Sequence, residues 1–371
     1  MLFKTNYEKA YRSNRWSITL ILLSLALFTR IILSFAANYP NLVENFYSAT
    51  AYPYIAKLLG FLSGIIPFSI GEILFVLMVL FIIIAIITII LKPGFILNNP
   101  RKIFHYAIRL LASVYVLFYF LWGFNYFRQD YLILANINHS PTTYSELKEL
   151  TAIMIEKTNE MRELLPEDEN GILLIEENLQ QLGNIANDGF KNYKVGDIDL
   201  GGKYGRIKPV FLSKYMSYTG ITGIYIPFTS EPTINTDIPN QSLLSTISHE
   251  MAHQRGFAKE DEANFIAYKA NINNPDERFQ YSGYYLAMNY LMNEVYIESR
   301  DDYMLLYTEL SDSVKRDLEF AGEYWKTKEG RLRKSVNNMN DTYLKANNQE
   351  DGVRSYNGVV RLLLAEYKGQ R

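Results

Sequence analysis

The chain has 371 residues, of which 49% are hydrophobic, and a formal net charge of −2 at pH 7. This length suffices for a sizeable core or for two regions, and the weak net charge gives no indication of nucleic-acid binding. Cysteine is absent, which excludes disulfides, thiol nucleophiles and zinc sites with cysteine ligands.

Three apolar segments near the front of the chain are predicted to cross a membrane. They cover residues 16–37, 72–91 and 106–127, and each approaches or exceeds the roughly 20 residues that a helix needs to cross a bilayer. Arg30 and Arg109 interrupt two of them, but an arginine can reach the interface near a helix end or pair within a bundle. The first segment is too long for a cleavable signal peptide and is interpreted as a span.

Basic residues predict the orientation of these segments, because cytoplasmic loops carry an excess of lysine and arginine. The loop between the first two segments contains Lys57 alone, whereas the N-terminus and the next loop are richer in basic residues. These residues are Lys4, Lys9, Arg12 and Arg15 at the N-terminus, and Lys92, Arg101 and Lys102 in the second loop. We therefore expect a membrane region over residues 1–127, a cytoplasmic N-terminus and an extracytoplasmic domain over residues 128–371.

This second domain is predicted to be mostly helical, with a small β element. Thr143 and Glu146 form a capping-box pattern at the start of an amphipathic helix. The segment TGIYIPFT, residues 222–229, is typical of a strand, and Pro227 favours a place at the edge of a sheet. Helices resume at about Asn240, which is a candidate N-cap.

The sequence HEMAH, residues 249–253, is the clearest functional signal. Residues four apart share one face of a helix, so His249 and His253 can direct two imidazoles at one metal ion. Glu250 lies beside that face, in the position of a general base for a water activated by a metal. The chain has four histidines, and chance would produce the motif in well under roughly one such chain in a hundred. The pattern predicts a site for one Zn²⁺ ion, and the competing interpretation is a helix face with incidental histidines.

A catalytic zinc takes three protein ligands and keeps one position open. A second helix is predicted after Gly256, and its first turn offers Glu260 and Glu262 as candidates for the third ligand. Asn264 lies one turn after Glu260 and could support it as a polar neighbour. The stretch Glu-x-x-Ala-Asn resembles the Glu-x-x-Ala-Asp helix of gluzincin peptidases, which favours Glu260 and leaves Glu262 to orient a histidine. Lys259 stands where the metzincin pattern requires a histidine.

Four further stretches, together with the three apolar segments, resemble the bacterial membrane-protein family designated domain of unknown function 3810. The stretches are MSYTGITGIYIPFT, HEMAHQRGFAKEDEANFIAY, FQYSGYYLAM and NDTYLKANNQEDGVRSY. The resemblance covers nearly the whole chain and implies a zinc metallopeptidase of a bacterial cell membrane, without implying a substrate. A tyrosine hydroxyl often stabilises the oxyanion in zinc peptidases, and Tyr281, Tyr343 and Tyr356 are the candidates here. Ordinary packing is the alternative for each.

We therefore expect a membrane-anchored, extracytoplasmic zinc metallopeptidase with a mainly α, zincin-like domain. Zn²⁺ on His249, His253 and Glu260, with Glu250 as the base, would hydrolyse a peptide or protein substrate in the cell envelope. An intramembrane protease is a weaker version, because the motif lies in a polar stretch far from the last apolar segment. The alternatives are a non-catalytic zinc-binding envelope receptor or scaffold, or an amidase of cell-wall peptides. The expected partners are the substrate and the lipid bilayer, with no nucleic acid.

Overall fold

The protein is mainly helical, with 72% helix and 5% strand. The computed structural model describes residues 2–92, 94, 100–137 and 141–369, with side chains from residue 16 onward. The predicted fold class is therefore confirmed at the level of a mainly α protein with a small β element. The side chains of the four basic residues at the N-terminus lie outside the described part, and the orientation in the membrane stays a prediction.

The front of the chain contains long helices joined by short ones. In order they are α1 (Leu2–Ala36), α2 (Pro40–Val43), a π-helical segment (Glu44–Ala51), α3 (Tyr52–Gly64), α4 (Ile70–Leu91), α5 (Pro100–Leu121), a 3₁₀ turn (Gly123–Phe127) and α6 (Tyr131–Leu134). Residues 16–36, 70–91 and 100–121 are long and apolar enough to cross a membrane. The predicted third segment, residues 106–127, is placed six residues too late, because the helix ends at Leu121 and residues 122–127 are buried.

The ends of the three long helices meet one face of the second domain. Helix α1 packs along α5, whereas the apolar stretch of α4 is not buried by any other described part of the chain. The end of α1 contributes Leu33 and Ala36 to a hydrophobic cluster that also contains Trp122, just after α5, and Tyr225 of the second domain. The start of α4 is held by Glu231, which accepts a hydrogen bond from the backbone of Gly71 at 2.9 Å.

The second domain consists of helices around one large core, with two small sheets. The helices are α7 (Tyr144–Arg162), α8 (Leu179–Phe190), α9 (Ser213–Met216), α10 (Asn240–Gln254), α11 (Glu260–Ile272), α12 (Glu277–Glu298), α13 (Arg300–Thr308), α14 (Asp312–Thr327), α15 (Arg331–Ala346) and α16 (Val359–Gly369). The strands are β1 (Lys194–Val195), β2 (Ile198–Asp199), β3 (Lys208–Pro209), β4 (Gly223–Ile226) and β5 (Glu231–Ile234). In the larger sheet the order is β3-β5-β4, with β4 antiparallel to β5 and at an edge.

Two predicted helix caps have different outcomes. The capping box is confirmed: the backbone of Glu146 donates to the Thr143 hydroxyl, and the Glu146 carboxylate accepts from the backbone of Thr143. The predicted cap at Asn240 is wrong. Asn240 is itself the first helical residue of α10, after Pro239, and its side-chain amide donates to the carbonyl of Leu173 at 3.0 Å. The amide therefore ties the helix start to a neighbouring loop.

Candidate metal centre

Helix α10 is held on both sides by the packing of the domain. Leu244, Ile247 and Met251 recur at helical spacing and are buried in the large core. The chain leaves the helix at Gly256, whose φ of 89° is in the left-handed region that favours glycine. A side chain at Gly256 would also collide with the ring of Tyr52, 2.8 Å from a Cβ at that position. The sharp exit brings α11 back beside α10, as the glycine suggested.

His249, His253 and Glu260 converge at one point. Their ligand atoms all lie within 4.8 Å of one another. One oxygen of Glu260, Oε2, lies 3.1 Å from Nε2 of His249 and 3.4 Å from Nε2 of His253. The two imidazole rings are perpendicular, with centroids 4.6 Å apart. Each of the three side chains is largely buried, so the group is a compact cluster with little access to solvent.

The other nitrogen of each imidazole is held by an oxygen acceptor. Nδ1 of His249 lies 2.8 Å from Oδ1 of Asn264, and Nδ1 of His253 lies 2.7 Å from the carbonyl of Phe257. The Asn264 amide is oriented by its other end, which donates to the hydroxyl of Tyr290 at 3.0 Å. Carbonyl oxygens only accept, so Nδ1 carries the proton in both rings and Nε2 is the atom available to a metal.

Of the two candidates for a third ligand, Glu260 lies against the histidines, whereas Glu262 points away from them. Glu262 is fully buried, and its Oε1 accepts from the backbone of Tyr131 at 3.0 Å and from Nζ of Lys259 at 3.1 Å. The expectation that Glu262 orients a histidine is wrong, because these groups occupy its described hydrogen bonds. Its contacts instead attach the start of α11 to α6.

Glu250 is buried between α10 and β4. A Cβ built on Gly223 would lie 2.5 Å from Oε1 of Glu250, so only a glycine leaves room for the carboxylate there. Oε2 of Glu250 has no hydrogen-bond partner among the described residues. Burial raises the pKa of Glu250 to about 7, against the lowering effect of the two histidines. The carboxylate is thus buried, and Oε2 is free to accept a proton.

The cluster is held by the attraction of opposite charges. Burial alone favours the neutral forms of Glu260 and His253. Their mutual attraction is stronger: it holds the pKa of Glu260 below its usual range and raises the pKa of His253 to about 9. Both imidazoles contribute to the effect on Glu260. A metal that binds here therefore replaces a proton and takes over its charge.

The three candidate tyrosines lie in different places. The prediction that Tyr281 stabilises the oxyanion is wrong, because Tyr281 is buried in the large core, where its hydroxyl donates to Asp317 at 2.7 Å. Burial raises the pKa of Tyr343 and of Tyr356, and the charge of Glu260 adds to the effect on both. The charge of Glu250 also raises the pKa of Tyr356. Tyr356 stays a candidate beside Tyr343, whose hydroxyl accepts from Tyr126 at 3.0 Å.

Side chains from the membrane region cap the end of α10, which sequence reasoning missed. The indole N–H of Trp122 donates to the carbonyl of His253 at 3.2 Å, and the hydroxyl of Tyr52 donates to the carbonyl of Gln254 at 3.0 Å. Arg128, at the boundary of the two domains, forms a buried ion pair with Glu44 and donates to the carbonyl of Gly256. No local pattern indicates these contacts, since they join residues more than 100 positions apart.

The fold and the cluster together define a class: a mainly helical protein whose candidate membrane helices are joined to a buried His–His–Glu group. The chain belongs to the family described as protein of unknown function (DUF3810), whose family model matches residues 47–364. The family resemblance drawn from the sequence is thereby confirmed, and the family description carries no activity. No curated protein and no solved structure matches the chain.

Proposed function

We propose that the protein is a membrane-anchored zinc metallopeptidase. One observation carries the proposal: three ligand atoms converge beside a buried carboxylate that has one oxygen without a partner among the described residues. Two imidazoles with Nδ1 held by acceptors, plus one carboxylate, form a donor set that suits Zn²⁺ and leaves a coordination position open. Glu250 is buried beside the cluster without being one of its three ligands, and a purely structural site needs no such carboxylate.

Each side chain of the centre then has a role in peptide hydrolysis. A zinc ion held by His249, His253 and Glu260 would supply a Lewis acid that polarises a carbonyl and lowers the pKa of water. Glu250 accepts a proton from the attacking water through Oε2 and passes it to the leaving amine. Tyr356 would donate a hydrogen bond to the developing oxyanion.

Strand β4 favours a polypeptide as the substrate. Asn235 donates its backbone N–H to Thr222, so in this antiparallel ladder the alternate residues Gly223 and Tyr225 point their backbone groups away from β5. This edge runs beside Glu250 and can pair with an extended peptide backbone. Backbone pairing would hold a scissile bond next to the carboxylate.

The proposal is tested by metal analysis and peptide cleavage on the purified full-length protein. We expect about one zinc ion per chain, cleavage of a peptide library by the zinc-loaded protein, and loss of cleavage after treatment with a chelator, with recovery on adding zinc. A protein that contains no zinc and takes none up would overturn the proposal.

Zinc binding is expected to release a proton at neutral pH. The pKa of His253 is raised to about 9 because the attraction of Glu260 outweighs burial, so its imidazole is protonated at neutral pH and must lose that proton to bind a metal. Zinc affinity should therefore fall as the pH is lowered from about 9. Calorimetry in buffers of different ionisation enthalpy should show about one proton released per zinc. Binding with no proton release would contradict this protonation state.

Replacing Gly223 by alanine is expected to reduce cleavage without removing zinc. The new Cβ would overlap the Glu250 carboxylate, 2.5 Å away, and displace it. Displacing a catalytic group by about 1 Å can cost about 100-fold in rate. The measurement is the cleavage rate together with the zinc content. The control is Gly322→Ala, since no described atom lies within 4 Å of a Cβ at that position. Equal cleavage rates for Gly223→Ala and Gly322→Ala would mean that cleavage does not depend on the position of the Glu250 carboxylate.

A further inference from the structure

The candidate metal centre lies directly beside the end of a candidate membrane span. Helix α5 ends at Leu121, and the next residue, Trp122, donates its indole N–H to the carbonyl of His253 at 3.2 Å. The Trp122 ring stands edge-on to the His253 imidazole, with centroids 6.0 Å apart. A ligand of the centre is thus in contact with the first residue beyond the span.

A second connection joins the centre to the start of another span. Gly223, at one end of β4, lies against Glu250, and Ile226, at the other end, lies against Gly71 in the first turn of α4. A Cβ on Gly71 would lie only 2.2 Å from the Ile226 side chain. Because a strand rises about 3.3 Å per residue, the general base is about 10 Å from the start of α4, measured along β4.

Buried contacts fix the distance between the candidate metal centre and the start of α4. Lys208 and Glu231 form an ion pair at 3.1 Å that is completely buried. Nζ of Lys208 also donates to the carbonyls of Ser63, Ile66 and Phe68, in the segment that leads into α4. The sheet and the entry of α4 therefore move as one unit, and the centre cannot rise away from the membrane on a flexible tether.

Exposed apolar side chains mark the same face as a membrane contact. Glu72, in the first turn of α4, accepts from the backbone of Phe211 at 2.7 Å, and the Phe211 side chain is 91% exposed. Tyr215, one turn further, is 70% exposed, and Ile65 and Phe68 before α4 are exposed as well. Aromatic and apolar side chains at the end of a span are typical of the interface between lipid and water.

We propose that the substrate is a membrane-anchored polypeptide, cut within a few residues of the surface of the bilayer that holds the enzyme. This rests on the proposed peptidase activity and names its substrate class. An extended segment paired with β4 runs from the centre towards the start of α4, a distance of about three residues. A chain anchored in the same bilayer presents its first extramembrane residues at this height, whereas a folded soluble protein must approach the lipid surface to reach it.

The test uses the full-length protein in lipid nanodiscs, which leave both membrane faces open. A single-span anchor peptide carries a randomised eight-residue library, either four residues from the span or behind a rigid proline-rich spacer of thirty residues. The spacer holds the library about 90 Å from the span at full extension. Both substrates share the membrane with the enzyme, so local concentration is matched and only height differs. The same library is also supplied as a free peptide, and Glu250→Gln measures background cleavage.

We expect cleavage near the span to be at least about tenfold faster than cleavage behind the spacer or of the free peptide, because only the near library reaches the centre without bending back. Equal rates for the near, distant and free libraries, all lost in Glu250→Gln, would overturn this inference and leave the peptidase proposal standing. Cleavage of none of the three by the zinc-loaded wild type would overturn the peptidase proposal, and the substrate class with it.

Discussion

Glu250→Gln is expected to reduce peptide cleavage by about 10²–10⁴-fold while zinc binding is retained. Glutamine has nearly the same shape, so the packing of this side chain against Gly223 of β4 is preserved. An amide cannot take a proton from water, so the substitution removes the proton acceptor that the carboxylate with its unpartnered oxygen provides. The measurement is the initial rate on any peptide cut by the wild type, with zinc content determined on the same sample.

The outcomes separate the alternative functions. Zinc in both proteins with cleavage in neither would favour a receptor or scaffold whose metal is structural. Cleavage confined to cell-wall peptides, and sensitive to the substitution, would favour the amidase. An unchanged rate in Glu250→Gln would exclude Glu250 as the general base. Loss of zinc from the variant would instead make Glu250 part of the ligand set.

The three helices that could cross a membrane were located from the sequence, but one boundary was not. Length and apolar composition suffice to recognise a span, and all three helices were found in this way. Residues 122–127 are rich in aromatic side chains, yet they are buried against the second domain. Hydropathy does not distinguish burial in protein from burial in lipid, so the third prediction ran six residues beyond Leu121.

The site was predictable where its geometry is local. His249 and His253 are four residues apart on one helix, and Glu260 is the first residue of the next helix, so their spacing in the sequence brings them into range. Gly223 reaches the site only through packing within the second domain, and Trp122 only through the packing of the membrane region against that domain. Tyr281 was wrong for the converse reason: it lies in a resembling stretch, but its helix turns that side chain into the core.

Glu260→Gln is expected to weaken zinc binding by more than about 100-fold, whereas Glu262→Gln is expected to retain it. Glu260 supplies the only carboxylate oxygen that the structure, over its described residues, places within 3.4 Å of both imidazoles. Glu262 is on the same helix and is also buried, but it bonds Tyr131 and Lys259. The two variants make the same chemical change two residues apart, so each is the control for the other.

The readouts of this pair are zinc affinity and thermal stability: stability should fall in both variants, whereas zinc affinity should fall only in Glu260→Gln. Glu262→Gln loses a buried charge that pairs with Lys259, which should cost about 1–3 kcal/mol of unfolding free energy while the histidine and Glu260 ligands stay in place. Glu260→Gln removes the group that attracts both imidazoles, so the metal-free protein loses that ion pairing as well as the metal. Zinc loss from Glu262→Gln with retention in Glu260→Gln would reverse the assignment. The third ligand would then be Glu262, brought to the histidines by a rearrangement of α11.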